Sequence, residues 1–253
     1  METIVNGIKT NYTILGEGRP ILILHGWGGS SLSWQKVQEL LASRGYKVIC
    51  PDFPGFGKSD NPENPWELSD YKNWVFDLTQ KLNLEKFILI GHSFGGRVAV
   101  KFLMDYQVMV DKVIFCDPAG IKMRADLDVI AVKLMAEAGN YIFDFKYLRV
   151  FKDFFRNIFY VFLGKKDYTK VVGVMKETMK NILDEDIASY LSKINIKTLI
   201  IWGEKDKLVP LECSKIFKDN IQNSQLEVIP KIGHSPHLEA PDILCGIILK
   251  FIK

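Results

Sequence analysis

The ten residues from Phe87 to Gly96, FILIGHSFGG, constrain this chain more than any other stretch. An apolar run ends in the pattern Gly-x-Ser-x-Gly, and an apolar helical pattern follows. This combination predicts a sharp strand-to-helix turn with Ser93 at its apex, in a strained backbone conformation. We expect Gly91 and Gly95 to be required there, because a Cβ at either position would collide with the neighbouring strand or helix. The alternative is a tight turn whose serine only caps the helix.

Strand and helix patterns alternate along most of the chain. This alternation predicts an α/β fold with a mostly parallel, doubly wound eight-stranded sheet and helices on both faces. Two short strands are expected within 1–15, about the turn Asn6-Gly7, and the others at 21–24, 46–50, 87–90, 112–116, 198–202 and 226–229. Helices are expected at 30–44, 69–82, 94–106, 210–219 and 241–252.

The alternation stops between residues 121 and 192, where no buried strand pattern occurs. The spacing there is helical, so we predict a core of 1–120 and 193–253 with a helical insertion at 121–192. The aromatic side chains of this insertion can form the core of a small subdomain, line an apolar pocket, or do both. They are Tyr141, Phe143, Phe145, Tyr147, Phe151, Phe154, Phe155, Phe159, Tyr160 and Phe162.

Composition excludes several functional classes. A net charge of +3 over 253 residues is too small to argue for a nucleic-acid or anionic-membrane partner. The four cysteines are far apart, without a CxxC pair, so neither a disulfide framework nor a zinc site is expected; Cys50 and Cys116 are predicted to be buried thiols. No signal-peptide pattern and no apolar run near the roughly 20 residues of a membrane span occurs, so we expect a cytoplasmic protein.

Polar residues follow the predicted strands, at the sheet edge where α/β proteins form their sites. A serine hydroxyl needs an adjacent base to act as a nucleophile, and His234, in the loop after the last strand, is the best candidate. The alternative for His234 is an ordinary surface-loop histidine. The six residues just past strand ends are His25, Asp52, Ser93, Asp117, Asp206 and His234.

A third group, a carboxylate, must orient the imidazole and stabilise its charged form. Asp206 follows the strand before the His234 loop, which gives the chain order Ser, Asp, His that accompanies this type of turn. Asp117, one strand after the nucleophile, remains a second candidate.

Two backbone N–H groups must bind the developing alkoxide. We expect one from Phe94, the residue after the nucleophile, and the other from Trp27 in the glycine-rich loop after the strand at 21–24. A phosphate-binding loop at Gly26, Gly28 and Gly29 is set aside, because the Lys-Ser/Thr pair and the GxGxxG spacing are missing.

Five motifs together resemble the serine branch of the α/β-hydrolase fold superfamily: HGWGGS at 25–30, DFPGFGKSD at 52–60, GHSFGG at 91–96, WGEKDKLVP at 202–210 and GHSPHLEAP at 233–241. The resemblance implies that Ser93, Asp206 and His234 form a catalytic triad, with the Trp27 and Phe94 amides as oxyanion hole. It also implies structural support of the site by His25, Gly26, Asp52 and His92, and a helical cap at 121–192.

The resemblance implies a carboxylesterase that cleaves small to medium apolar esters through an acyl-enzyme, without metal or cofactor. A serine at the turn disfavours the haloalkane dehalogenase and epoxide hydrolase branches, which have Asp there. His92 differs from the Asn usual in carbon–carbon bond hydrolases of aromatic-ring degradation. A carbon–carbon (meta-cleavage product) hydrolase, a cofactor-free perhydrolase and a non-catalytic ligand-binding protein remain alternatives. The sequence leaves open a monomer or a homodimer through the cap.

Overall fold

The computed structural model describes residues 1–122 and 168–253. It contains one eight-stranded sheet in the order β1-β2-β4-β3-β5-β6-β7-β8. The β1–β2 and β2–β4 pairs are antiparallel and the other pairs are parallel, so the predicted mostly parallel sheet is confirmed. The strands are β1 (Glu2–Val5), β2 (Ile8–Leu15), β3 (Arg19–Leu24), β4 (Tyr46–Pro51), β5 (Phe87–His92), β6 (Val110–Cys116), β7 (Lys197–Gly203) and β8 (Ser224–Ile229).

Helices connect the strands in the described residues. Short 3₁₀ helices at Ser31–Trp34 and Gln107–Met109 accompany them. The α-helices are α1 (Gln35–Ala42), α2 (Leu68–Lys81), α3 (Phe94–Tyr106), α4 (Tyr168–Asp184), α5 (Ala188–Leu191), α6 (Glu212–Asn220), α7 (Pro236–Glu239) and α8 (Pro241–Ile252).

Three helix predictions need correction. The helix expected from residue 30 starts as a 3₁₀ turn, and its α-helical part begins only at Gln35. The helix expected from Pro210 begins at Glu212, because Pro210 lies in a preceding turn whose carbonyl accepts the Cys213 N–H at 2.9 Å. Helix α7 was not predicted, since four residues are too few to show a helical period.

The sheet is buried on both faces because successive side chains of a strand point to opposite sides. In β3, Leu22 and Leu24 pack on the face covered by α2, α3 and α6, whereas Ile21 and Ile23 pack on the face covered by α1 and α8. All four side chains are fully buried. Each such aliphatic side chain contributes about 1.5–3 kcal/mol on burial. The two cores confirm the predicted doubly wound arrangement.

The predicted helical insertion is only partly within the described residues. Helices α4 and α5 lie inside 121–192, and α4 rests on the loop before α2, where the Trp66 N–H donates to Thr178 Oγ1 at 2.9 Å. The ten aromatic residues between 141 and 162 lie outside the described residues, and the domain division at 121–192 stays a prediction.

The structure also bears on the state of the cysteines and on membrane-spanning helices. All four cysteines are buried free thiols, as predicted for Cys50 and Cys116. Within 1–122 and 168–253, every helix is too short or too polar to cross a membrane.

Candidate active site

The turn after β5 has the strained geometry that the sequence predicted. Ser93 has φ +51° and ψ −114°, a region that costs a non-glycine residue about 1–3 kcal/mol. A Cβ on Gly91 would lie 2.7 Å from the Gly95 carbonyl oxygen, and a Cβ on Gly95 would lie 2.1 Å from that of Leu24. Both contacts are impossible, so both glycines are required. The Ser93 hydroxyl makes no capping hydrogen bond to α3, and the helix-cap alternative is therefore wrong.

The Ser93 hydroxyl instead lies at one end of a chain of hydrogen bonds. His234 Nε2 is 2.9 Å from Ser93 Oγ, and His234 Nδ1 is 2.7 Å from Asp206 Oδ2. A carboxylate partner places the proton on Nδ1, which leaves Nε2 free to accept the serine proton. The other Asp206 oxygen accepts the N–H groups of Leu208 and Val209 at 2.8 and 3.0 Å. The geometry is suited to proton transfer from Ser93 to His234.

The second candidate acid, Asp117, lies beside Asp206 in a different environment. It is fully buried, and its Oδ1 accepts the Gly203 N–H at 2.8 Å. Burial, and then the nearby charge of Asp206, raise the pKa of the Asp117 carboxyl to about 9. Asp117 is therefore protonated at neutral pH, and His234 contacts Asp206 rather than Asp117.

Asp117, Asp206 and His234 also form the one cluster in the described ranges with potential metal-ligand atoms all within 4.8 Å of one another. A metal ligand must offer a free lone pair. Both His234 nitrogens already have hydrogen-bond partners, and Asp117 keeps its proton at neutral pH, so neither residue is a ready metal ligand. Hydrogen bonding accounts for this cluster, so we propose no metal there.

The two residues expected to supply the oxyanion-hole amides, Trp27 and Phe94, line the same cavity as Ser93. Phe94 is the first residue of α3, so its N–H has no partner inside the helix. Trp27 lies in the loop after β3, and its ring packs edge-on against that of Phe94 with centroids 5.2 Å apart. A Cβ on Gly26 would lie 3.3 Å from Ser93 Cβ, which shows how closely this loop approaches the nucleophile.

His25 and Asp52 connect the loops around the site. His25 is fully buried; its Nδ1–H donates to the Gly26 carbonyl at 2.8 Å, and its Nε2 accepts the Phe53 N–H at 3.0 Å. Burial lowers the pKa of His25, so the imidazole stays neutral in this bridging role.

Asp52 accepts hydrogen bonds from the Ser31 N–H, the Lys58 N–H and Asn11 Nδ2 at 2.6–2.8 Å. These hydrogen bonds link the loops around Ser93, and the supporting roles of His25 and Asp52 stay a prediction.

His92, inside the turn, points away from Ser93 and toward the loop that carries His234. Its Nε2–H donates to the backbone carbonyl of His234 at 2.8 Å. Burial and then the neighbouring His237 lower the pKa of His92 well below its usual range, which keeps the ring neutral. Gly26 is required beside it, because a Cβ there would lie 2.8 Å from His92 Nδ1. His92 thus positions the backbone of the His234 loop.

A cavity of about 420 Å³ opens above Ser93 and His234. Another of about 400 Å³ lies at the opposite end of the sheet, around Lys112 and Lys197, away from these residues. The sequence did not predict Arg97 in the wall of the first cavity, although a lone arginine in an apolar helix, four residues after Ser93, was an available signal. The apolar lining of the cavity above Ser93 includes Ile121, Met179, Ile182, Leu183, Leu208 and Val209.

Known proteins with related sequences include several hydrolases. The chain is 28% identical over 259 residues to the AB hydrolase superfamily protein YisY of Bacillus subtilis, with 94% of this chain and 92% of that protein covered. It is 28% identical over 266 residues to a 2-hydroxy-6-oxononadienedioate/2-hydroxy-6-oxononatrienedioate hydrolase of Pseudomonas putida, covering 97% and 92% of the two chains.

The fold is also similar to that of solved structures. The esterase EaEST from Exiguobacterium antarcticum superposes with a TM-score of 0.77 and 24% identity, with 100% of this chain and 99% of that chain covered. The sequence matches the family model for the alpha/beta hydrolase fold over residues 19–159 and 175–241. Sheet order, strained turn, sequence match and structural similarity agree, and the chain belongs to the alpha/beta hydrolase fold family.

Proposed function

We propose that this protein is a serine hydrolase that cleaves carboxylic esters of small to medium apolar substrates. The observation that carries the proposal is the hydrogen-bonded chain Ser93–His234–Asp206, with distances of 2.9 and 2.7 Å, at the base of a largely aliphatic cavity. A nucleophile, a base and an orienting carboxylate in this arrangement are the requirements of acyl transfer.

In the first half-reaction, Ser93 Oγ attacks the ester carbonyl while His234 Nε2 accepts its proton. The Asp206 carboxylate stabilises the charged imidazolium through the Nδ1 hydrogen bond. The N–H groups of Trp27 and Phe94 bind the alkoxide of the tetrahedral intermediate. Each such donor contributes about 10²–10³ in rate. The imidazolium then gives its proton to the leaving alcohol, and an acyl-Ser93 ester remains.

In the second half-reaction, water replaces the alcohol at the same site. His234 accepts a proton from the water molecule, whose oxygen attacks the acyl carbonyl. Collapse of the second tetrahedral intermediate returns the proton to Ser93 and releases the carboxylic acid. Because His92 holds the backbone carbonyl of His234 at 2.8 Å, the imidazole can keep one position through both steps.

Substrate size is proposed from the cavity. Its wall includes Met179, Ile182 and Leu183 of α4, within the segment expected to form the cap. We propose that the segment 121–192 covers Ser93 and selects the acyl and alcohol groups. A volume of about 420 Å³ suits a small-molecule ligand.

The proposal is tested with p-nitrophenyl butyrate. Ser93→Ala should lose nearly all activity, by a factor on the order of 10⁴ or more, while remaining folded. Ser43→Ala removes an exposed hydroxyl that donates to the Leu40 carbonyl at the end of α1, and this variant should keep full activity. Full activity of folded Ser93→Ala would refute the assignment.

Carbon–carbon bond hydrolysis is a second candidate, and the relative from Pseudomonas putida favours it. Both reactions can use the same serine, base and oxyanion donors, so fold and site geometry leave the bond type open. Assay of one meta-cleavage dienone beside an ester series of increasing acyl length separates them. A kcat/KM for the dienone above that of every ester would replace ester hydrolysis as the main activity.

A further inference from the structure

Arg97 is a buried cation in the wall of the cavity that contains Ser93. It lies in the first turn of α3, four residues after Ser93, and both residues line the same cavity. Its neighbours on the helix, Val98, Ala99 and Val100, are fully buried apolar residues. Arg97 itself is only 5% exposed. A charge in such surroundings is costly unless it has a partner.

The described partners of Arg97 use only part of its hydrogen-bonding capacity. Its Nη1 donates to the carbonyl of Ile182, and a guanidinium has five N–H donors. Within 1–122 and 168–253 no carboxylate lies within 4 Å of it. The two acids whose charges act on Arg97 have other partners: Glu185 pairs with Lys101, and Asp186 accepts the Ala188 N–H.

Arg97 nevertheless keeps its charge at neutral pH. Burial lowers the pKa of its guanidinium to about 10, and the acids Glu185 and Asp186 oppose that effect. Gly120 makes room beside it at the cavity wall, because a Cβ there would lie 2.9 Å from Arg97 Nε. The cation therefore adjoins the space that a substrate would enter.

The charges around the cavity are of one sign. Besides Arg97, its described lining includes Lys122 and Lys207, both of which are exposed, and no aspartate or glutamate. A cleft with charges of a single sign attracts ligands of the opposite sign. A planar guanidinium can bind a carboxylate through two parallel hydrogen bonds, which are stronger than those between neutral groups.

We propose that Arg97 binds a carboxylate of the substrate, so that the protein prefers monoesters of dicarboxylic acids over neutral esters. The ester carbonyl lies at Ser93 while the free carboxylate at the far end of the acyl chain pairs with Arg97. The inference rests on the proposed ester hydrolysis and narrows its substrates to those whose apolar acyl chain ends in a carboxylate. Water cleaves the acyl–oxygen bond, and the products are a dicarboxylate and an alcohol.

The kinetic test compares esters matched in acyl length. These are the p-nitrophenyl monoesters of succinate, glutarate and adipate against p-nitrophenyl butyrate, valerate and hexanoate. In at least one of the three pairs, the wild-type protein should have a higher kcat/KM for the anionic ester than for the neutral one. Arg97→Gln should lower the kcat/KM for that anionic ester by about 10–100-fold. The neutral esters should change less than about 3-fold. Arg97→Lys, which keeps the charge, should retain part of the preference.

A matched control removes a positive charge elsewhere. Lys36→Gln changes the net charge equally but lies on the exposed side of α1, outside the cavity lining. Its substrate preference should equal that of wild type. Equal loss of anionic-ester activity in Lys36→Gln and Arg97→Gln would show a general charge effect and overturn the proposal.

Binding measurements keep the inference separate from the proposed reaction. Calorimetry on Ser93→Ala with monomethyl glutarate and methyl valerate needs no turnover, and the anionic ligand should bind at least 10-fold more tightly. If the wild type hydrolyses none of the esters, ester hydrolysis fails, and this titration alone decides the carboxylate site. Equal affinity for the two ligands, or a wild-type preference for every neutral ester, would overturn the proposal even if Arg97→Gln does not fold.

Discussion

Asp117 and Asp206 follow neighbouring strands, but their carboxyl groups have different roles because their hydrogen-bond donors differ. Asp206 accepts two backbone N–H groups and the His234 ring, all of which stabilise a negative charge. Asp117 accepts one backbone N–H, from Gly203, in a fully buried position beside another acid. Asp206 is thus suited to be the ionised partner of His234, whereas Asp117 supports the end of β7 in its neutral form.

This difference predicts that the same substitution lowers activity greatly at Asp206 and only slightly at Asp117. Asp206→Asn should lower kcat by about 10³-fold or more, because an amide no longer stabilises the imidazolium or its tautomer. Asp117→Asn keeps the acceptor for the Gly203 N–H and should stay within about 5-fold of wild type. Steady-state kinetics on p-nitrophenyl butyrate measure both variants. A larger loss in Asp117→Asn than in Asp206→Asn would reverse the assignment.

Asp117 also predicts a pH-dependent effect on stability. An unfolded aspartate has a pKa of about 4, and the folded value is raised to about 9. The folded state therefore holds the extra proton between these values, and its stability falls as pH rises through that window. Asp117→Asn removes this loss. The free energy of unfolding of the variant, relative to that of wild type, should therefore be about 1–3 kcal/mol higher at pH 8 than at pH 5.5. Urea unfolding at both pH values measures the gain, and a constant difference would contradict the raised pKa.

The sequence could identify Asp117 and Asp206 as candidates but not choose between them from contacts. Both follow strand ends, and the deciding groups are amides of Leu208 and Val209, whose positions depend on the folded loop. The order Ser, Asp, His favoured Asp206, the residue that contacts His234. Arg97 was missed because an arginine in an apolar helix shows its significance only when the cavity beside it is known.

At the level of elements, α3 can approach β3 only because glycines replace side chains at the contact. The Gly95 position faces the carbonyls of Leu24 and His25 at distances that exclude a Cβ. The same close approach brings the Trp27 loop to Ser93. Packing of one helix on one strand therefore places the nucleophile and the expected oxyanion donors together.

Alanine substitutions test that packing. Gly95→Ala should destabilise the protein by at least about 3 kcal/mol or prevent folding, because both obstructing groups are backbone atoms that cannot rotate away. Gly246→Ala in α8 meets nothing within 4 Å and should stabilise by up to about 1 kcal/mol. Thermal unfolding compares them. A stable, fully active Gly95→Ala protein would contradict the close contact.

Long elements were predictable and short ones were not. Strands with continuous apolar runs, such as β3 and β5, and amphipathic helices such as α2 carry enough residues for a period to be read. Helix α7, which contains His237, has four residues, too few for a helical period to be visible in the sequence. The start of α6 shifted because Pro210 lies in a preceding turn.

At the scale of the whole molecule, the sheet brings residues from distant parts of the sequence to one edge. Ser93 follows β5, Asp206 follows β7 and the His234 loop follows β8, all parallel strands whose C-terminal ends coincide. Parallel connectivity made this convergence predictable from strand order alone. The cavity walls combine α3, α4 and several loops, so side-chain packing between distant segments decides substrate shape, and sequence spacing could not predict it.

Covalent labelling of the intact protein with a fluorophosphonate tests most directly whether Ser93 is an activated nucleophile. Mass spectrometry of the wild type should show one adduct on the peptide that contains Ser93. Labelling should be absent in Ser93→Ala and slowed by about 10³-fold or more in His234→Ala. A folded wild-type protein that remains unlabelled, or that is labelled only at another residue, would contradict the account and favour a non-catalytic ligand-binding protein.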